Sequence, residues 1–153
     1  MSAVEQRLAA MGLTVHEVVP PVASYVPAVR SGRYVYTSGQ LPFVDGVLLE
    51  TGKVGASVTA ERAAELAAVC ALNAIAAVKS VAPLDSVTRI VKVVGFVASA
   101  PDFTGQPGVM NGASNLLGEA FGDIGAHARS AVGVAVLPLD APVEVEMIVE
   151  LGE

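Results

Sequence analysis

Apolar and polar residues alternate most regularly near the end of the chain. From Val143 to Leu151, the residues Val143, Val145, Met147, Val149 and Leu151 fall on one parity; Glu144, Glu146, Ile148 and Glu150 fall on the other. Side chains alternate faces along a strand, so this segment reads as a strand with its apolar parity on a core. Arg129 to Val136 alternates too, with Ser130, Val132, Val134 and Val136 against Arg129, Ala131, Gly133 and Ala135. If the valines face the same core, Arg129 and Glu144 share the opposite face. The turn Leu137-Pro138-Leu139-Asp140-Ala141-Pro142 joins the two strands.

The helical period is clearest from Ser57 to Val81, an alanine-dense stretch with Thr59 and Glu61 at its start and Pro83 beyond its end. Leu66, Val69, Leu72, Asn73, Ile75, Ala76 and Val78 form its broad apolar face. Val109 to Phe121 reads as a weaker helix interrupted by glycines, and Glu5 to Met11 as a short one. Val87 to Ala98, rich in Val and Ile, reads as a buried strand, with a loop from Pro101 to Pro107 after it. Pro20-Pro21 opens an extended stretch. Tyr25 to Arg30 and Arg33 to Ser38 flank Ser31-Gly32 as a hairpin, and Val47 to Glu50 is a short strand after the Asp45-Gly46 turn. The order is β-β-(β)-α-β-α-β-β: an α+β fold whose two main helices cover one face of a sheet, leaving the other to water or another subunit.

Composition narrows the class. The 153 residues suit one domain spanning 1–153, with 1–20 as an N-terminal helical extension. Hydrophobic residues make up 53% and charged residues 16%, which points to surface covered by a partner. Leu66 to Val78, the longest apolar uncharged run, is too short to span a bilayer and carries Asn73, so no membrane partner is expected. The first residues carry Glu5 and Arg7 with no apolar h-region, so no signal peptide is expected and the location reads as cytoplasmic. Net charge is −6 with Lys and Arg scattered singly, which argues against a nucleic-acid surface. Cys70, the one cysteine, sits inside the long helix and reads as a small core residue rather than a nucleophile. Two distant histidines and one cysteine give no metal-ligand spacing, so no metal is expected.

Arg129 is the residue with most chemistry. Its guanidinium matches a carboxylate two-pronged, and Ala131 and Gly133 on its parity leave room beside it. An arginine above a small-residue floor, with Glu144 on a neighbouring strand, describes either a carboxylate pocket or an exposed Arg129–Glu144 ion pair.

Two separated segments resemble the signatures of the RidA/YjgF family: VASYVPAVRSGRYVYTSGQLP, from residue 22, and HARSAVGVAVLPLDAPVEVEMIVEL, from His127 to Leu151. The helix from Ser57 and the strand VTRIVKVVGFVAS match the middle of that family in type and order, and the Gly-rich stretch Pro107 to Gly118 resembles its longer branch. The resemblance implies a chorismate-mutase-like (RidA-like) α+β fold, a homotrimer with sheets inward and helices outward, and sites in clefts between subunits. It implies hydrolysis of reactive 2-imino or enamino acids to 2-oxo acids and ammonia with no cofactor. By position, Arg129 matches the arginine that holds the substrate carboxylate and Glu144 the glutamate that places the attacking water. Tyr25 matches a tyrosine contributed across the interface, Gly39 the glycine whose backbone approaches the ligand, and Ala131 a position whose carbonyl serves the substrate. Departures are Ala131 for a frequent cysteine, Ser24 for a proline before Tyr25, and His127 for a proline, where it serves as an acid or base near the pocket or as a turn residue. The family's helix asparagine aligns loosely with Asn111, Ser114 or Asn115. The alternatives are a trimer that binds a small carboxylate without turnover, and a hydrolase of another small C–N bond.

Overall fold

The structure is a computed structural model that describes every residue except 19 and 22, the latter opening the first signature segment. Helix α1 (Ala3–Ala10) starts on a capping box. The Ser2 hydroxyl accepts from the Glu5 backbone N–H at 3.1 Å, and the Ser2 N–H donates to the Glu5 carboxylate at 2.9 Å. Val4 and Leu8, one turn apart, are buried. Lys79 Nζ meets Glu5 Oε1 at 2.5 Å, and Arg7 Nη1 donates to the Ala120 carbonyl at 3.2 Å, so α1 is fastened to the ends of both long helices.

Those helices are α2 (Ala60–Lys79) and α3 (Gln106–Phe121). The Thr59 hydroxyl caps α2 by accepting from the Arg62 N–H at 3.1 Å. The buried stripe of α2 includes Leu66, Cys70 and Ile75; each large side chain in it contributes roughly 1.5–3 kcal/mol of transfer free energy. Helix α3 begins earlier than its glycine-rich pattern predicts because Pro107 sits in its first turn, where its missing N–H costs nothing.

The strands are β1 (Ala28–Ser31), β2 (Tyr34–Thr37), β3 (Phe43–Val44), β4 (Val47–Leu48), β5 (Val87–Ala98), β6 (Ala128–Val134) and β7 (Val143–Leu151). Five form a mixed sheet in the order β1-β2-β7-β5-β6, with β5 and β6 parallel and the other neighbours antiparallel; β3 and β4 make a separate hairpin. Only Ala28–Ser31 of the stretch expected from Tyr25 forms β1, and Tyr25 lies outside it. Ser31 pairs with Tyr34, so the hairpin turn is Gly32-Arg33, with Gly32 at φ +61° as a type II′ turn requires.

The core lies between α2, α3 and one face of the sheet, and β7 contributes Val143, Val145, Met147, Val149 and Leu151 to it, as its alternation predicts. The other face is uncovered in the single chain. Tyr36 is 45% exposed, Val29 52% and Val132 43%, on three different strands. None of the described helices is long and apolar enough to cross a membrane.

The Arg129 strand differs from its expected parity. Val93 pairs with Arg129 on one side and Met147 on the other; Phe96 pairs with Val132 and Glu144. Val93 and Met147 are buried beneath the helices. Arg129, Ala131 and Gly133 therefore belong to the helix face, and Val132 and Glu144 to the open face. Close helix packing is the reason. A Cβ on Gly95 would lie 2.1 Å from Met110 Sδ, and one on Gly133 would lie 2.9 Å from Gln106 Nε2. The small residues make room for α3 itself, so the bulky valines turn outward.

Candidate functional site

Helix α3 is pressed close to its neighbours. A Cβ on Gly112 would stand 2.0 Å from the Ala64 carbonyl oxygen of α2. This contact leaves one face of the first turns of α3 beside the start of β6. Pro107, Asn111 and Ser114, spaced i, i+4 and i+7, present three acceptors in a row along that face. Arg129 reaches all three: Nη1 donates to Asn111 Oδ1 at 2.9 Å and to Ser114 Oγ at 3.2 Å, and Nη2 to the Pro107 carbonyl at 3.3 Å. Nε–H and one Nη2–H have no partner among the described residues, so the guanidinium keeps two donors for an anion.

His127 stands two residues before Arg129, just ahead of β6. Its Nδ1 lies 2.7 Å from the Gly125 carbonyl, and its Nε2 lies 2.8 Å from Ser114 Oγ. A carbonyl only accepts, so in the neutral ring Nδ1 carries the proton and Nε2 receives the Ser114 hydroxyl hydrogen. The chain of contacts runs Arg129 to Ser114 to His127 to Gly125.

Glu144, Gly39 and Tyr25 form a second group. Beyond β2, Gln40 exchanges backbone hydrogen bonds with Val145, at 2.8 and 3.0 Å, and so draws Gly39 alongside Glu144. A Cβ on Gly39 would fall 1.8 Å from Glu144 Oε1, so only glycine lets the carboxylate lie where it does. The Gly39 N–H and carbonyl have no backbone partner among the described residues. Burial, and then Glu146 on the same face, raise the Glu144 carboxyl above its ordinary pKa. Tyr25 is 46% exposed and lines, with Gly39, Leu41 and Phe43, a recess of about 40 Å³. That volume holds a water or two.

The structure thus places Arg129, Asn111, Ser114 and His127 together, and separately Tyr25, Gly39 and Glu144. Strand β5 and the thickness of the sheet lie between the groups, which excludes the Arg129–Glu144 ion pair within one chain. Ala131 is partly buried against the core, on the Arg129 side. Asn115 is exposed. The Pro107 carbonyl was not foreseen, although its spacing to Asn111 and Ser114 is readable in the sequence. Among the described residues, no three His, Cys, Asp or Glu side chains group closely enough to hold a metal ion.

Comparison with known proteins adds kinship. Residues 5–151 match a family profile described as "YjgF/chorismate_mutase-like, putative endoribonuclease". Protein TCP17 of Trypanosoma cruzi is 43% identical over 151 residues, 97% of this chain and 94% of that protein. The crystal structure of Atu1372 from Agrobacterium tumefaciens, a protein of unknown function, superposes with a TM-score of 0.92 at 43% identity, covering 98% of this chain and 93% of that one. A Shewanella oneidensis structure described as a "putative endoribonuclease" superposes with a TM-score of 0.94 at 32% identity, covering 98% and 100%.

Proposed function

The chain belongs to the YjgF/chorismate-mutase-like family, and from that premise we propose that it hydrolyses reactive 2-imino or enamino acids to 2-oxo acids and ammonia in clefts between the subunits of a homotrimer. The observation that carries this reading is the guanidinium of Arg129, held by three hydrogen bonds to α3 with two donors left over. Those donors suit the carboxylate of a small amino-acid derivative.

A cleft between copies reconciles the two groups of residues. One protomer offers Arg129 on its helix side, and a neighbour offers Tyr25, Gly39 and Glu144. The apolar open face, with Val29, Tyr36 and Val132, supplies surface for such an assembly to bury. The recess of about 40 Å³ beside Gly39 is one wall of the site rather than a whole pocket.

The chemistry asks little beyond positioning. The imine carbon is already electrophilic. Glu144, whose raised pKa makes it a better base than an ordinary carboxylate, accepts a proton from water as the water oxygen bonds to that carbon. The C=N electron pair moves onto nitrogen, which takes a proton from water; Glu144 then returns its proton to the amine, the C–N bond breaks to release ammonia, and the hydroxyl gives its proton back to water as the carbonyl forms. Holding the carboxylate against Arg129 fixes the carbon relative to the water. The reaction as written uses protein groups and water alone, and it would clear reactive imines in the cytosol. RNA cleavage fits less well, since the net charge of −6 lacks the clustered cations a phosphate backbone attracts.

The test generates the imine in situ with an amino-acid oxidase and follows release of the 2-oxo acid. The protein accelerates release, and R129A abolishes the acceleration. Saturable binding of 2-oxo acids with no acceleration would instead identify a carboxylate-binding module.

A further inference from the structure

Ser114 and His127 form a hydroxyl–imidazole pair at 2.8 Å, with the imidazole oriented by the Gly125 carbonyl at 2.7 Å. Such a pair can activate a nucleophile, but two features here oppose that use. Ser114 sits in the interior of α3, where helical bonds occupy the neighbouring backbone N–H groups, so no backbone donors remain for an oxyanion. Its oxygen also accepts from Arg129 Nη1, which draws electron density away from it.

We infer that Ser114 and His127 are positioning residues that set the rotation of the Arg129 guanidinium, and through it the orientation of the bound carboxylate; the second half of this inference rests on the carboxylate-binding reading of Arg129. Each hydrogen in the chain has a defined direction. Gly125 fixes the imidazole proton on Nδ1, which leaves Nε2 as an acceptor. Nε2 takes the Ser114 hydroxyl hydrogen, which turns an oxygen lone pair toward Nη1. Asn111 takes the other Nη1 hydrogen at 2.9 Å, and the Pro107 carbonyl one from Nη2 at 3.3 Å. The guanidinium plane is thereby fixed before ligand arrives, so the ordering cost of a flexible arginine side chain is met by the fold rather than by binding. A residue at 127 without a ring acceptor leaves the Ser114 hydroxyl free to rotate, and one of the two constraints on Nη1 is lost, leaving Asn111 alone, although Arg129 itself is unchanged.

The experiment reads Arg129 directly. In the ¹⁵N-labelled full-length protein, the Arg129 Nε–Hε resonance is assigned by its loss in R129K. It is sharp in the wild type, where the side chain is held in one orientation, broadened in S114A and H127A, and sharp again in S114T, which keeps the hydroxyl; a misfolded variant would not show that rescue. In parallel, titration with 2-oxobutyrate gives affinities about tenfold weaker for S114A and H127A and within about threefold of wild type for S114T. If H127A leaves both the resonance and the affinity as in the wild type, His127 is a turn residue and the inference is wrong. If the resonance responds as described but the wild type binds no 2-oxobutyrate, the brace stands and the carboxylate reading of the site falls.

Discussion

Val93 and Arg129 are direct partners across the parallel β5–β6 pair, and Val93 is fully buried beneath the helices. That pairing sends the Arg129 side chain toward α3. Its partners there are uncharged acceptors, and no carboxylate pairs with it among the described residues. Replacing Arg129 by Lys keeps the charge but removes the fork and the simultaneous reach to Pro107, Asn111 and Ser114. R129K therefore weakens binding of a small 2-oxo acid by at least about tenfold with little change in fold, checked by titration calorimetry beside circular dichroism.

If Arg129 and Glu144 serve one site from two protomers, activity should recover by mixing. R129A and E144Q, each inactive alone, are unfolded and refolded together. Mixed assemblies contain some clefts with both native residues and regain part of the wild-type rate in the imine assay. No recovery would mean that the two residues do not meet across an interface.

Gly39→Ala places a methyl group against the Glu144 carboxylate, the movable end of a flexible side chain. The fold accommodates this by shifting Glu144. The turnover rate falls by about tenfold or more while the unfolding midpoint changes little, a split read from kcat and thermal melts of the same preparation.

Two carboxyls give opposite pH dependences. The Glu144 carboxyl is raised in the folded state, so the fold binds a proton that the unfolded chain has released. Its contribution to stability declines as pH rises from the ordinary carboxylate range through the raised pKa, and E144Q flattens that decline. Glu5 is lowered to about 2, first by its bond to Lys79 and then by the Ser2 cap. Its contribution is present above the ordinary carboxylate pKa and is lost as pH falls through about 2. E5Q costs about 1 kcal/mol at neutral pH and little in strong acid, measured by urea denaturation across pH.

The contrast between β7 and β6 shows what a sequence discloses. In β7 the polar parity is glutamate, so the apolar parity has a single destination, and the structure agrees. In β6 neither parity is charged beyond Arg129, and the rule that bulk faces the core misleads. The helix face there is crowded by Met110 and Gln106, which admit only Ala131 and Gly133, while Val132 faces outward. The α+β architecture and its helices were readable because each long element has its own period. Joining Asn111 and Ser114 to Arg129 required the lateral position of α3, set by side chains far apart in the chain. The separation of Glu144 from Arg129 lies in strand order, which local patterning does not encode.

Gly112 meets the Ala64 backbone, which cannot swing aside as a side-chain tip can. Alanine there forces α2 and α3 apart and costs about 2–3 kcal/mol, checked by denaturant unfolding of G112A. The same contact acts as a gauge block. It fixes how far α3 stands from α2, and Asn111 and Ser114 on either side of Gly112 inherit that distance in their reach to Arg129. A mutation that never touches a ligand can therefore detune the arginine, and variants selected for altered substrate preference are expected to collect along the α2–α3 seam as well as in the cleft.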